Sequence, residues 1–271
     1  MQDTRIGFIG AGNMASSIIG GLINRGQAPS LINASDLDTD KLDALAATTG
    51  LSAVSNEDIA QTADVIVLAV KPQVMASVCT ALAASLNDRR PLIVSIAAGI
   101  TLTALERWFG SEAAIVRCMP NTPALVGSGA SGLFANARVS PAQRDIADQL
   151  LGAVGLSVWV DSEADIDSVT ALSGSGPAYF FLMMEAMQES AVKLGLTPAM
   201  AKSLTYQTAL GAAQLAIASD EDTAQLRRNV TSPNGTTERA INHFEDGGLR
   251  QLVDGALKAA HDRSIELAGE V

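Results

Sequence analysis

The chain has 271 residues, 48% of them hydrophobic, and a formal net charge of −11 at pH 7. That length suits one large domain or two modest ones, and the acidic balance argues against a nucleic-acid partner, because binding to phosphates needs clustered Lys and Arg. The chain has only two cysteines, which predicts no disulfide framework. No apolar run reaches the ~18–20 residues that span a membrane, and the start is unlike a signal peptide. We therefore expect a cytoplasmic protein with no membrane partner.

Short apolar runs alternate with helical patterns through the first half of the chain. The apolar runs cover residues 6–9, 31–34, 65–70, 92–96 and 114–117, and the helical patterns cover 14–24, 39–48, 74–86 and 102–109. This alternation is typical of βαβ units, in which helices cover both faces of a parallel sheet. A helix over 141–154 and a last strand over 157–160 complete a first domain, predicted as residues 1–161.

After an acidic stretch at residues 161–167, the chain contains no further strand-like run. Helical patterns cover 177–194, 200–219, 237–244 and 249–267, so residues 162–271 are predicted to form an all-helical domain. The first two of these helices are apolar nearly all round, with Phe180, Phe181 and Met187 among their side chains. Such helices are expected to be buried, and a partner subunit is the economical source of the cover.

The first strand leads directly into Gly-Ala-Gly-Asn-Met-Ala at residues 10–15, which opens a helix. In the G-x-G-x-x-A motif the first glycine permits a tight turn, and the second lets a pyrophosphate approach the backbone. The third small residue, here Ala15, allows close packing of helix and strand. Because the motif stands at the first βα turn of a βαβ chain, we interpret it as a dinucleotide site and the first domain as Rossmann-type.

The end of the second strand bears on the choice between NAD and NADP. An acidic residue there would bind the ribose 2′-hydroxyl of NAD and repel the 2′-phosphate of NADP. The sequence has Ser35, which can donate to a phosphate, followed one place further on by Asp36, whose side chain can point towards the ribose or away from it, and no Arg close by. We favour NADP, with NADPH preferred and NADH also accepted.

Two later strand ends are expected to pass beside the cofactor at the carboxyl edge of the sheet. Lys71 follows one of them and faces either the nicotinamide or solvent. Small residues at 95–99 follow the other and leave room for a flat ring, although small residues also occur at strand ends for packing reasons.

Side chains that commonly carry catalysis are scarce. The two histidines, His243 and His261, both lie in the helical region, which makes a His-based metal site or a Ser-His-Asp triad hard to build, so we expect no metal. Cys118 is expected to be a buried, inert thiol. Hydride transfer to an imine needs no nucleophile from the enzyme, because the cofactor carries the chemistry. The scarcity therefore fits such a reduction better than it fits hydrolysis.

Three turns are not explained by regular secondary structure: residues 119–123, 172–179 and 230–237. The second and third lead into helices, so they would direct free N–H groups and hydroxyls outward, which suits a substrate carboxylate. Ordinary helix capping by Ser and Thr is the alternative interpretation.

These segments together resemble the pyrroline-5-carboxylate reductase family over essentially the whole chain. The matching motifs are Gly-Phe-Ile-Gly-Ala-Gly-Asn-Met-Ala, Ala-Val-Lys-Pro, Met-Pro-Asn-Thr-Pro, Ser-Gly-Ser-Gly-Pro-Ala-Tyr and Ser-Pro-Asn-Gly-Thr-Thr. The resemblance implies an α/β fold, with an N-terminal Rossmann-type parallel-sheet domain followed by an all-helical dimerisation domain. It also implies NAD(P)H-dependent reduction of 1-pyrroline-5-carboxylate to L-proline by a homodimer, with dimers assembling into larger rings in some members.

The resemblance further implies roles for single residues. The cofactor would be held by Gly10, Ala11, Gly12, Asn13, Met14, Ser35, Asn56, Ala69, Val70, Lys71, Pro72, Ile96, Ala97 and Ala98. The substrate would be held by Ser175, Asp220, Ser232, Gly235, Thr236 and Thr237, with Thr237 as the catalytic residue near the ring nitrogen. This chain has Asn234 where the family usually has glycine, and asparagine is the other residue that best tolerates a left-handed backbone.

Two other functions are compatible with parts of the sequence. A dehydrogenase acting on a β-hydroxy acid would share the two-domain layout, but it would carry a catalytic Lys early in the second domain. Residues 171–179 contain no Lys, and the first one afterwards is Lys193. A nucleotide-binding sensor would use the glycine loop without catalysis, and it would bind NADPH without oxidising it when an imine is added.

Overall fold

The computed structural model describes Met1 and residues 3–270, which divide into two compact units. The first unit contains Met1–Ser175 and the chain from Ala260 onward, and the second contains Gly176–Ala259. Within the described residues, every strand belongs to the first unit, and the regular elements of the second are helices.

One sheet runs through the first unit, in the strand order β3-β2-β1-β4-β5-β6-β7-β8. Its strands are β1 (Ile6–Ile9), β2 (Ile32–Ser35), β3 (Ser52–Ala53), β4 (Val65–Leu68), β5 (Leu92–Ser95), β6 (Ile115–Met119), β7 (Gly129–Ala135) and β8 (Gly155–Trp159). Neighbouring strands are parallel except for β6 and β7, which pair antiparallel. The predicted Rossmann-type parallel sheet is confirmed.

Helices cover both faces of this sheet. They are α1 (Asn13–Asn24), α2 (Thr39–Thr49), α3 (Asn56–Thr62), α4 (Pro72–Ser85), α5 (Leu102–Phe109), α6 (Pro141–Gly152) and α7 (Asp165–Val169). Alternate side chains of β4 point to opposite faces, so Val65 and Val67 join one apolar core while Ile66 and Leu68 join the other. A strand buried on both sides explains why its sequence is apolar without interruption.

Strands β3 and β7 were not predicted from the sequence. Residues 129–135 are mostly small, and small side chains give little of the alternating apolar signal on which strand prediction depends. Their size has a packing reason, since a Cβ on Gly132 would lie 2.7 Å from both γ-carbons of Val169. Close approach of α7 to β7 therefore requires a residue that weakens the strand signal.

The second unit is built from α8 (Gly176–Lys193), α9 (Pro198–Ala218), α10 (Thr223–Asn229), α11 (Thr236–Asp246) and most of α12 (Leu249–Gly269). All but α10 were predicted, and α8 packs against α9. In the single chain α8 is left largely uncovered, since Phe180 is 69% exposed and Phe181 is 64% exposed. An apolar helix face left open in this way needs cover from outside the chain.

Candidate active site

The loops at the carboxyl edge of the sheet meet around the reversal of strand order between β1 and β4. Backbone hydrogen bonds tie them together: Gly10 N–H donates to the Ser35 carbonyl at 2.8 Å, and Ala69 N–H donates to the Ile9 carbonyl at 2.8 Å. Ile96 N–H likewise donates to Leu68 at 3.1 Å. The strand ends predicted to hold the cofactor thus lie side by side, at the place where open α/β sheets form a ligand crevice.

The two glycines of the first loop differ in what surrounds them. Gly10 has φ +98°, and a Cβ there would lie 2.7 Å from the Ala69 carbonyl oxygen, so the protein itself requires this glycine. A Cβ on Gly12 would meet nothing closer than the Lys41 Nζ at 3.9 Å. Since packing among the described residues does not explain Gly12, the open space beside it is suited to a ligand that approaches the backbone closely.

Helix α1 begins at Asn13, directly beside this space. Its N-cap residue, Gly12, makes no side-chain capping hydrogen bond. The N–H groups of the first turn, which includes Asn13 and Met14, therefore remain available, and the helix dipole adds partial positive charge. A pyrophosphate is the kind of group that such a helix start binds.

Ser35 and Asn56, both predicted to bind the cofactor, are in direct contact. The Ser35 hydroxyl donates to Asn56 Oδ1 at 2.5 Å and lies 3.4 Å from the Phe8 carbonyl oxygen. Ser35 is buried, and its single proton is directed at neighbouring oxygens. To donate to a cofactor phosphate, as predicted from the sequence, the Ser35 hydroxyl would have to give up its hydrogen bond to Asn56.

Asp36 and Lys41 stand next to the same crevice. The Asp36 carboxylate accepts hydrogen bonds from Ala11 N–H at 2.6 Å and Asp38 N–H at 2.9 Å. Burial acts to raise the pKa of Asp36, but these amides and the charge of Lys41 outweigh it, so its pKa is below the ordinary value. The sequence predicted no Arg near this site, and the cation that lies here is Lys41, which the first turn of α2 brings back towards Gly12.

The later strand ends complete the edge. Lys71 is exposed and occupies the N-cap position of α4, whose first residue is Pro72, without a side-chain capping hydrogen bond. Beyond β5, Ala97 is buried, whereas Ala98 is exposed in a turn. Both interpretations of Lys71, as a surface residue and as a residue facing a bound nicotinamide, agree with this position.

Ser175 ends a π-helical turn, Thr170–Gly174, in the first unit. Its N–H donates to the Thr170 carbonyl at 2.8 Å. Its side chain is half-buried, and within the described residues the hydroxyl has no hydrogen-bond partner. The hydroxyl is thus free to bind a ligand.

The remaining predicted substrate residues lie in the second unit. Residues 232–235 form a turn in which Gly235 N–H donates to the Ser232 carbonyl at 3.0 Å, and α11 starts directly after it. Ser232, Thr236 and Thr237 carry hydroxyls without a hydrogen-bond partner among the described residues. Asp220 is exposed in the turn that follows α9. An N-terminal helix turn with free hydroxyls is suited to a carboxylate.

Asn234 shapes the turn before α11. It has φ +58°, and its N–H donates to Glu238 Oε2 at 2.7 Å. Asn234 therefore has the left-handed backbone that asparagine tolerates best among non-glycine residues. The next residue must be glycine, because a Cβ on Gly235 would lie 2.9 Å from the Ser232 carbonyl oxygen.

Other reactive side chains lie away from these loops or are inert. Burial raises the pKa of Cys79 to about 12 and raises that of Cys118 as well, so both thiols are poor nucleophiles. His243 is exposed, and His261 lies 3.5 Å from an Asp262 carboxylate oxygen. The described residues contain no cluster of three or more His, Cys, Asp or Glu able to hold a metal, and none of their helices is long and apolar enough to cross a membrane.

Comparison with known proteins gives a consistent picture. Residues 163–267 match the family profile described as pyrroline-5-carboxylate reductase dimerisation, and residues 5–99 match that of NADP oxidoreductase coenzyme F420-dependent. The chain is 55% identical to a pyrroline-5-carboxylate reductase of Pseudomonas aeruginosa, covering 100% of this chain and 99% of that protein.

Two solved structures extend the likeness to three dimensions. A pyrroline-5-carboxylate reductase of Coxiella burnetii is 48% identical and superposes with a TM-score of 0.94, covering 98% of each chain. A pyrroline carboxylate reductase of Plasmodium falciparum, solved with NADP bound, is 31% identical with a TM-score of 0.87, covering 99% of each chain.

Proposed function

This chain belongs to the pyrroline-5-carboxylate reductase family, and from that premise we propose how its residues reduce 1-pyrroline-5-carboxylate to L-proline, the last step of proline synthesis. The enzyme is an oxidoreductase, and NADPH, when bound, supplies the hydride. The observation that carries the proposal is the uncapped start of α1 beside Gly12. Within the second unit, the start of α11 presents free hydroxyls and supports the proposal separately.

The carboxyl edge of the sheet suits the cofactor, since Gly12 leaves open space and the first turn of α1 leaves amides free. We assign the pyrophosphate to the Gly10–Met14 loop and the adenosine ribose to the surroundings of Ser35 and Asn56. Residues 69–72 and 96–98 would lie beside the nicotinamide. The Plasmodium relative solved with NADP supports NADPH as the preferred donor and leaves NADH as an alternative.

For the substrate, we assign the carboxylate to the hydroxyls and amides of the two turns. Ser175, Ser232, Gly235, Thr236 and Thr237 would hold it, and Asp220 would lie near the ring. Charge-assisted hydrogen bonds from such donors are stronger than neutral ones and fix orientation. The acidic net charge of the protein does not oppose this binding, because the donors are local and fixed.

Catalysis follows from positioning. With the carboxylate held, the hydride adds to the carbon of the C=N bond, and the π electrons of that bond move to nitrogen. Water or the Thr237 hydroxyl supplies the proton that the nitrogen needs. Correct alignment of two reactants is worth on the order of 7–11 kcal/mol of barrier in favourable cases.

We further propose that the enzyme works as a homodimer in the cytoplasm, with residues 1–161 as the dinucleotide-binding domain and 162–271 as the helical dimerisation and substrate domain. The dimerisation profile over residues 163–267 and the open apolar face of α8 support self-association. The resemblance to the family extends the proposal to larger rings built from such dimers. Two unpaired thiols fit a reducing compartment.

The test of this function is oxidation of NADPH and NADH by the purified protein, followed by the loss of nicotinamide absorbance when 1-pyrroline-5-carboxylate is added. We expect rapid oxidation with the imine, none without it, and proline as the product. A β-hydroxy acid with NADP⁺ serves as the alternative substrate pair. Cofactor binding without imine-dependent oxidation would favour a sensor, and turnover of the hydroxy acid would favour the dehydrogenase.

Asp36 and Lys41 are expected to set the balance between the two cofactors in opposite directions. Asp36→Asn removes a negative charge beside the ribose site and should raise the preference for NADPH over NADH about tenfold, and Lys41→Ala should lower it about tenfold. The measurement is kcat/KM for each cofactor with saturating imine. Arg90→Ala removes an exposed cation near the amino end of β5 and is the control. A ratio unchanged in both test variants would contradict the assignment.

A further inference from the structure

Asn121 follows β6 in the Met-Pro-Asn-Thr-Pro segment, which the proposed function leaves without a role. It is 8% exposed, and both the nitrogen and the oxygen of its side-chain amide form hydrogen bonds. The Nδ2 group donates to the Ser173 carbonyl at 2.9 Å, and Oδ1 accepts from Ala130 N–H at 2.8 Å. One amide side chain thus bridges two main-chain segments that are far apart in sequence.

One end of the bridge is anchored in the sheet. Ala130 belongs to β7 and pairs with Leu156 of β8, and further along, from Gly132 to Ala135, β7 also pairs with β6. A strand held on both sides is among the least mobile parts of a domain. The position of the Asn121 side chain is therefore fixed by the sheet.

The other end of the bridge is a turn of unusual geometry. Residues Thr170–Gly174 form a π-helical turn, a rare form that often occurs at functional sites. Asn121 binds the carbonyl of Ser173 in this turn, and Met119 contacts the next residue so closely that a Cβ on Gly174 would lie 2.6 Å from its Cε. Both contacts fall immediately before Ser175.

We infer that Asn121 is a positioning residue, which sets the place of the Ser175 hydroxyl by holding the π turn against β7. The inference rests on the proposed function, since Ser175 matters for turnover only if it binds the substrate carboxylate. Asn121 itself acts through Ser173 and Gly174. Its loss should therefore weaken substrate binding while leaving the cofactor edge, formed by β1, β2, β4 and β5, unchanged.

The test compares Asn121→Asp with Asn136→Asp. In Asn121→Asp the Oδ1 acceptor for Ala130 remains, while the donor to Ser173 is lost. Asn136 is a matched control at the other end of β7: its Nδ2 donates to Glu106 Oε1 and to the Ala113 carbonyl at 2.9 Å each, and its Oδ1 accepts from Ile115 N–H. Both variants lose a side-chain donor to a main-chain carbonyl, but only one lies beside the proposed carboxylate site.

We expect Asn121→Asp to raise KM for 1-pyrroline-5-carboxylate about tenfold, with KM for NADPH within about twofold of the parent enzyme, and Asn136→Asp to change neither. If the buried carboxylate prevents Asn121→Asp from folding, Asn121→Ala replaces it, and a cooperative thermal transition shows that this second variant folds. We expect the same rise in the imine KM for Asn121→Ala. An unchanged imine KM in folded Asn121 variants, or an equal rise in Asn136→Asp, would overturn the inference.

A second readout separates this inference from the proposed function. Amide hydrogen exchange of the peptide that spans the π turn reports the Ser175 N–H bond to Thr170 directly. We expect faster exchange there in Asn121→Asp than in Asn136→Asp, whichever substrate the enzyme uses. If the parent enzyme does not reduce the imine, the proposed function fails, and equal exchange in the two variants would overturn the positioning role on its own.

Discussion

Replacing Thr237 with alanine should lower kcat for imine reduction about a hundredfold, since a single well-placed hydrogen-bond donor or proton donor commonly contributes that much. Thr237 lies in the first turn of α11, and its hydroxyl has no partner among the described residues. Affinity for NADPH, measured by fluorescence titration, should stay within about twofold, because the proposed cofactor site does not include Thr237. Stopped-flow measurement of NADPH oxidation with saturating imine checks the result.

Thr231→Ala is the matched control for this variant. Thr231 is half-buried like Thr237, but its hydroxyl donates to the Arg227 carbonyl at 2.6 Å and thus serves the local fold. We expect near-normal kcat for Thr231→Ala and partial recovery for Thr237→Ser, which keeps the hydroxyl. Near-normal turnover in Thr237→Ala would remove this residue from the mechanism.

The carboxyl edge of the sheet, where we place the cofactor, could be predicted from the sequence because its signals are local. The loop from Gly10 to Met14 joins a strand and a helix that each have a clear period, and strand ends of a parallel sheet must share one edge. Asn234 could also be interpreted from its own identity, since a left-handed position favours very few residue types. Each of these predictions needed no knowledge of distant partners.

What could not be predicted depends on contacts between segments that are far apart. The side chain of Asn121 bridges to Ala130 and Ser173, which lie 9 and 52 positions away. No periodic pattern of apolar residues predicts hydrogen bonds between such distant positions. Lys41 was missed for a related reason, because a helix start returns it to the glycine loop. A rule that includes Lys as well as Arg, and that extends through the first turn of α2, would predict Lys41 from the sequence.

The helical region shows the same division between local and distant information. The periods of α8 and α9 predicted helices, and their apolar composition predicted burial, yet the chain alone leaves much of α8 exposed. Burial is a property of the whole assembly, whereas helix formation is mostly set within the segment. The exposed face is therefore evidence for association, because a monomer rarely shows so large an apolar surface to water.

Replacing Phe181 with aspartate should raise the dissociation constant of the proposed dimer about a thousandfold, since in a symmetric interface through α8 the change would remove an aromatic contact and introduce a charge twice. Phe181 is 64% exposed in the single chain and lines a groove of about 610 Å³ between α8 and α9, together with Met184 and Tyr206. Sedimentation velocity over a range of protein concentrations measures the shift, and imine reduction should fall along with the fraction of dimer.

Leu156→Asp distinguishes a dimer interface from a general loss of apolar surface. Leu156 is 63% exposed on β8, the edge strand of the sheet, so the two changes are alike in chemistry and exposure. If α8 and α9 form the dimer, only Phe181→Asp should give monomers, and the monomer should keep its helices while losing activity. A Phe181→Asp protein that stays dimeric would place the interface elsewhere, and an active monomer would show that one chain supplies the complete substrate site.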